Sequence, residues 1–280
     1  MKIIVTGGAG FIGSYLVNEL VKSHEVVILD NLSTGKKSNI NPKAKFIKGD
    51  IREEKDVKKA ISGCDAVFHL AAQTDVRKSQ EDPDYDHQVN VTGAKNVFLI
   101  SKELGAKIIF TSSAAVYGNS LLTKEDTKLK PISEYGKNKL EAEKFLDRKD
   151  FIVRIFNCYG PNGRGFINKL CENVKQGKKM TIFGGRQTRD FIYVTDVVNA
   201  LILGLESDGI YNVGSGVETS ILGLIDIVSK ISSKKPTTRL SSAREGEIEK
   251  SRADISKIKS LGWKPKVSLK EGVRRVWNSV

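Results

Sequence analysis

Cysteine is scarce: Cys64, Cys158 and Cys171 are the only three in 280 residues, an odd number without metal-ligand spacing. That argues against a disulfide framework and a cysteine-built metal site, and fits a reducing compartment. Long hydrophobic runs are missing too. No apolar stretch approaches the ~18 residues of a spanning helix, and the chain opens on a strand-like run where a leader peptide would have a charged and apolar start. The expected location is therefore the cytoplasm, away from a membrane. No repeat or low-complexity tract occurs. Acidic charge is in deficit, 33 Asp and Glu against 46 Lys and Arg, for a net charge of +13. An excess of that size raises the question of an acidic partner. The lysines are spread along helix-patterned segments (Lys55, Lys58, Lys59; Lys137, Lys139, Lys144) without interleaved aromatics. This pattern predicts a solvated surface with weak, salt-dependent attraction to polyanions, not dedicated nucleic-acid binding. A substrate bearing two phosphates would gain from the same field.

With 39% hydrophobic and 28% charged residues, the composition is that of a soluble globular protein. Apolar runs alternate with helical patterns: KIIVT, EVVILD, KFIKGD, AVFHLAA, KIIFTSS and FIVRIF are separated by helices expected over 11–22, 53–62, 86–104 and 134–146. Such βαβ alternation predicts an α/β fold with a doubly wound parallel sheet. After Gly160 and Pro161 the pattern loosens into helices near 167–175 and 194–205, the strand-like MTIFG, and amphipathic stretches at 222–231, 254–261 and 269–277. The expected division is a dinucleotide-binding domain over 1–160 and a smaller substrate lobe over 161–280, with about 187–205 returning to the main domain.

The first turn carries Gly7, Gly10 and Gly13 in VTGGAGFIG, and Asp30 ends the strand run EVVILD twenty positions after Gly10. Glycine is required first for a tight strand-to-helix turn, then for backbone approach to a pyrophosphate, and last for close helix packing. An acid at the tip of the next strand accepts ribose hydroxyls and repels a 2′-phosphate, so the predicted cofactor is NAD, not NADP. Ligands of open parallel sheets lie beyond the carboxyl ends of the strands. Phe11 and Ile12 within the turn, then Asn31, Ser33 and Gly35 after Asp30, are therefore expected at the cofactor. So are Asp50 and Ile51, with Asp50 placed to accept the adenine amino group. Leu70, Ala71, Ala72 and Ser112 complete the strand ends, the alanines letting a flat ring lie against backbone.

Strand KIIFTSS ends in Ser112 and Ser113, and Tyr135 follows 22 residues after Ser113 in SEYGKNK. Tyr135 and Lys139 are four apart and share a helix face. An ammonium near the phenol and a positive nicotinamide beside it would both favour phenolate, lowering the tyrosine pKa towards neutrality and making it a usable base. Ser113 would hydrogen-bond the same substrate oxygen. Spacing of this kind arises often by chance; its place after a serine-ended strand and a cofactor turn gives it weight.

Together with HLAAQTDVRKSQEDPDYDHQVNVTG, IFNCYGP, GGRQTRDFIYVTDVV, YNVGSG and AREGE, these motifs resemble, nearly end to end, the extended short-chain dehydrogenase/reductases of the nucleotide-sugar epimerase and dehydratase group. The resemblance implies that Ser113, Tyr135 and Lys139 are catalytic, and that Asn90 supports the active-site water and backbone. It implies that Asn157 contacts the sugar or diphosphate, that Arg189 and Arg244 grip the diphosphate, and that Glu247 holds a ribose hydroxyl. The arginines suit the task on their own chemistry, because planar donor forks match phosphate oxygens. A homodimer is also implied, and no metal.

Dehydratases and decarboxylases of that group resemble one another in an acid just after the catalytic hydroxyl, where this chain has Ala114 and Ala115. The implied reaction is thus 4-epimerisation of a nucleotide-diphospho-hexose through a 4-keto intermediate, with UDP-glucose and UDP-galactose foremost. Ser251 falls where such epimerases limit pocket size, and its small side chain leaves room for the N-acetylhexosamine pair. Between Tyr159 and Arg189 the chain is several residues shorter than the resemblance leads one to expect, which leaves the base open. Alternatives are a UDP-glucuronate 4-epimerase, a nucleotide-sugar reductase, or a non-enzymatic NAD-sensing or RNA-binding protein on the same fold.

Overall fold

The computed structural model describes residues 1–120, 122–234, 236–242 and 248–280. Six β-strands occupy the first part of the chain: β1 (Lys2–Thr6), β2 (Glu25–Asp30), β3 (Lys45–Lys48), β4 (Ala66–His69), β5 (Lys107–Ser113) and β6 (Phe151–Ile155). Between them run α1 (Phe11–Leu20), α2 (Glu54–Ile61), α3 (Val76–Glu81), α4 (Pro83–His87), α5 (Ala94–Glu103) and α6 (Glu134–Glu143). Beyond β6 come β7 (Asn157–Tyr159), α7 (Phe166–Lys175), β8 (Met180–Phe183), β9 (Thr188–Tyr193), α8 (Val194–Ile202), β10 (Gly209–Val213), β11 (Glu218–Ser220), α9 (Ile221–Ser232), β12 (Thr238–Ser241), α10 (Ser256–Lys259) and α11 (Leu269–Ser279).

The central sheet is parallel, with strand order β10-β6-β5-β4-β1-β2-β3. This is the doubly wound arrangement expected from the alternation. Strands β1, β2, β4, β5 and β6 are buried along nearly their whole length, so both faces are covered and they read as unbroken apolar runs. Ile4 pairs with Val27 on one side and with Val67 on the other. One core layer joins Ile4, Val27, Val67, Ile108 and Phe110 of the sheet to Val57 and Ile61 of α2 and Val97 and Phe98 of α5. Each such side chain contributes on the order of 1.5–3 kcal/mol on burial. The strand order reverses at β1, with β2 on one flank and β4 on the other, so the loops after β1 and β4 open the crevice where such sheets hold ligands.

Two compact units divide the chain: Met1–Gly118, Leu129–Arg154 and Val198–Tyr211 form one, and Asn119–Lys128, Ile155–Val197 and Asn212–Val280 the other. In the second unit β9 lies between an antiparallel β11 and a parallel β7, and β8 pairs in parallel with β12. Helix α11 lies close on β7, since a Cβ at Gly272 would fall 2.2 Å from the Tyr159 hydroxyl. The unit has a buried polar hub as well. Asp190 is 0% exposed and accepts from the N–H groups of Ser215, Gly216 and Ala253 and from Ser215 Oγ, at 2.6–3.1 Å.

Local differences from the sequence reading have local causes. The single helix expected over 86–104 is α4, a π-helical stretch at Gln88–Gly93, and α5. Pro83 starts α4 with Asp82 as its cap, the carboxylate accepting from the Tyr85 N–H at 3.0 Å. Helix α3, capped by Asp75, was hidden in a polar run, and the short strands β7, β9, β10 and β11 lack the apolar length that marked the others.

Candidate active site

The first turn is shaped by the absence of side chains. Gly7 has φ +72°, and a Cβ there would meet the Ala71 backbone nitrogen at 2.7 Å; one on Gly13 would sit 2.2 Å from the Gly7 carbonyl oxygen. The turn is thus held against the loop after β4, and α1 against the turn, leaving a backbone cradle at the start of α1. That is what a pyrophosphate requires. Phe11 and Ile12 are the first residues of α1, both half-buried.

Asp30 is buried at the tip of β2, its carboxylate fixed by the N–H groups of Ala9 (3.0 Å) and Leu32 (2.8 Å). A Cβ on Gly35 would come within 3.0 Å of Asp30 Oδ1, so Gly35 lets the following loop close over the acid. Asn31 turns that loop by accepting from the Ser33 N–H at 2.9 Å and donates to Asp50 at 2.9 Å. Asp50 already has a cation: Arg52 grips it bidentately at 3.0 and 2.9 Å and holds its carboxyl down to about 2. Ile51 is buried against Gly93 of the π-helical stretch. After β4, the Ala71 N–H donates to Thr6 Oγ1 at 3.3 Å, while Leu70, Ala71 and Ala72 are half-buried. Asn90, 2% exposed, clamps the Gln73 backbone with both ends of its amide, at 3.1 and 2.9 Å.

Ser113 stands at the end of β5 and Tyr135 in the first turn of α6, and the Ser113 side chain acts on the phenol, favouring its ionised form. Ser133 caps that helix, accepting from the Gly136 N–H at 3.1 Å, and the Tyr135 N–H donates to Ser79 Oγ of α3 at 3.2 Å. Gly136 allows the close approach of α6 to the Ala114–Tyr117 turn, because a Cβ would lie 2.7 Å from the Ala115 carbonyl. Lys139 follows one turn later, 3% exposed, its Nζ 4.4 Å from the centroid of Phe110.

Among the chain's own groups the phenol moves opposite to the sequence expectation. Burial pushes Tyr135 up to about 12; the Ser113 hydrogen bond works against this and Asp86 adds to it. Lys139 is brought down to about 7 by burial, against the pull of Glu143 and then Asp86. Among the chain's own groups, desolvation therefore sets the phenol's protonation. Beneath the strand end, Ser112 donates to Glu143 Oε1, and Glu143 is bound bidentately by Arg154 at 3.0 and 2.7 Å. Arg154 also donates to the Tyr117 hydroxyl at 3.0 Å. Ser112 is thus committed to a buried network. That network and Asp86 escaped the sequence reading, because their partners are distant in the chain. The acid Asp86 within DPDYDHQVN offered no periodic signal.

Apart from Ser113, the residues expected at the substrate belong to the second unit, as far as they are described. Asn157 is exposed on β7. Arg189 lies within β9, not in the preceding turn, and its Nη1 donates to the carbonyls of Thr188 and Ile248, both at 2.7 Å. Ser251 is half-buried and precedes the Thr123–Ala253 bridge. Arg244 and Glu247 lie outside the described residues. A surface cavity of about 310 Å³ between the end of α7 and Lys234, Pro236 and Thr237 contains none of these groups. Among the described residues, no three His, Cys, Asp or Glu side chains are grouped to hold a metal, and no helix is long and apolar enough to cross a membrane.

The model of the NAD dependent epimerase/dehydratase family matches residues 3–214. A Methanocaldococcus jannaschii protein provisionally named a UDP-glucose 4-epimerase is 41% identical over 99% of this chain and 97% of its own length. The crystal structure of Thermotoga maritima UDP-glucose 4-epimerase with UDP-glucose is similar at TM-score 0.95 and 35% identity, covering 100% of this chain and 98% of that one. UDP-N-acetylglucosamine 4-epimerase from Methanobrevibacter ruminantium, in complex with UDP-N-acetylmuramic acid, has TM-score 0.93 at 33% identity, covering 99% of this chain and 97% of that one.

Proposed function

The chain belongs to the NAD-dependent epimerase/dehydratase family, and from that premise we propose that it interconverts the 4-epimers of a UDP-hexose, glucose and galactose foremost. The observation that carries the reading is Ser113 at the end of β5 acting on the Tyr135 phenol of α6, with Lys139 buried one helical turn beyond Tyr135 and alanines at 114 and 115 in place of an acid. The glycine cradle and the fixed Asp30 carboxylate suit NAD. When bound, NAD would supply the hydride acceptor and donor and, in its oxidised form, positive charge to the site. Tyr135 Oη takes the proton from the sugar 4-hydroxyl and later returns it, while Ser113 Oγ hydrogen-bonds the same oxygen. Burial keeps the Tyr135 phenol protonated, and a positive charge brought beside it would favour the phenolate. Elimination or decarboxylation would call for a further proton-transfer group, which Ala114 and Ala115 do not offer.

Asn157, Arg189 and Arg244 are assigned to the sugar diphosphate and Glu247 to the ribose, with the nucleotide held while the keto-sugar turns over. The small Ser251 extends the proposal to the N-acetylhexosamine pair, and a cytoplasmic homodimer is the proposed working form. Purified protein should convert UDP-glucose to UDP-galactose without added cofactor and release NAD on denaturation. Tyr135→Phe should keep its NAD and lose about 10²–10⁴-fold in kcat. Turnover of UDP-glucuronic acid alone would overturn the hexose assignment, and cofactor consumed in proportion to product would overturn epimerisation.

A further inference from the structure

Asp86 is 0% exposed, on α4. Its Oδ1 accepts from Gln73 Nε2 at 2.6 Å and its Oδ2 from Asn138 Nδ2 at 2.8 Å. Both oxygens accept and both donors are neutral amides, the pattern of a carboxylate. Among the described residues it makes no salt bridge. A buried anion served only by amides is costly unless a cation stands nearby. Asn138 directly precedes Lys139 on α6, and Lys139, 3% exposed, likewise makes no salt bridge among the described residues.

The groups facing Lys139 and Tyr135 come from four elements. Helix α6 contributes Glu143, which acts on the lysine more strongly than Asp86 but is held bidentately by Arg154 of β6, so that pair brings no net charge. Strand β5 contributes Ser113 and the Phe110 ring. Strand β4 contributes His69, kept neutral by a burial that lowers it to about 3. Helix α4 contributes Asp86, whose charge favours the protonated form of both Tyr135 and Lys139. One unpaired anion and one unpaired cation thus share a dry site.

We infer that Asp86 is the counter-charge that keeps Lys139 in its ammonium form inside the site, a positioning residue that acts on the reaction through the lysine. The inference rests on Lys139 serving Tyr135 as proposed above, and its decisive measurement needs no turnover. The side-chain carbons of Lys139 are followed by NMR through a pH titration of ¹³C-lysine-labelled, NAD-loaded protein, the signal being assigned by its loss in Lys139→Met. In Asp86→Asn the titration midpoint should fall by about one pH unit, a tenfold loss of proton affinity. The double variant Asp86→Asn/Asn138→Asp moves the carboxylate to the other end of the same hydrogen bond and should return the midpoint towards wild type, even if the single variant does not fold. The alkaline limb of the pH–activity profile should shift to lower pH in Asp86→Asn, whereas a merely structural lesion would lower the whole profile without moving it. An unchanged midpoint in folded, NAD-retaining Asp86→Asn overturns the inference. So does a double variant displaced as far as the single one. Absence of epimerase activity in the wild type would instead remove the proposed function and leave the lysine titration to decide the role of Asp86.

Discussion

His69 shows how a single buried side chain sets a pH limit. It ends β4 with its Nδ1 2.8 Å from Thr6 Oγ1, stacked on Phe110 and edge-on to Phe98. Burial, with Lys139 adding to it, lowers its pKa to about 3. An unfolded histidine takes up its proton near pH 6.5. The unfolded chain therefore binds a proton that the folded chain refuses, and stability falls as pH drops from the unfolded value towards the folded one. His69→Gln removes that difference. Urea titrations across this range should show the acid-side slope flattened by about one proton, with some stability lost at neutral pH through the altered core. Gly13 belongs to the same scale but was legible in the sequence, because its demand is met within one turn, and Asp30 was legible from its place at the end of an apolar strand run.

Helix α6 was legible as a helix and as the bearer of Tyr135 and Lys139, since residues four apart share a face whatever surrounds them. Its exact placement depends on its first turn. Ser133 caps it, Gly136 lets it approach Ala115, and Ser79 receives the Tyr135 N–H. Removing the cap in Ser133→Ala should cost about 1 kcal/mol in chemical denaturation. Because Tyr135 sits in that turn, kcat should fall while NAD content stays at the wild-type level. The stretch from Pro83 to Glu103 was less legible. Apolar periodicity runs through it, yet the π-helical turn at Gln88–Gly93 widens the backbone where Asn90 reaches Gln73. No periodicity marks such a widening in advance.

At the scale of the whole molecule, each unit has its own buried polar anchor. In the first, Arg154 ties Glu143 and Tyr117 under the end of β5. In the second, Asp190 gathers the 215–216 turn and Ala253, beside Arg189 and close in sequence to Ser251. Asp190→Asn leaves at least one of those donors without a matching acceptor, at about 1–3 kcal/mol each. Steady-state kinetics should show KM for the nucleotide sugar raised more than kcat is lowered, with NAD occupancy retained, because the proposed cofactor cradle, Gly7–Gly13 with Asp30, lies in the first unit. Equal losses of NAD and substrate affinity would contradict this division of labour.

The glycine turn, the acid at the end of β2, the strand alternation and the Tyr135–Lys139 spacing are short-range features. Steric need and helix or strand period impose them on neighbouring residues, so the linear order of amino acids already specifies the doubly wound class and points to the candidate cofactor and catalytic groups. Burial and charge pairing are different in kind. Asp86 meets Asn138 across 52 positions, and Asp190 meets Ala253 across 63. The protonation of Tyr135, Lys139 and His69 follows from how completely the packed chain removes them from water and which distant charges it sets beside them. That is a property of the assembled interior, and no local pattern carries it.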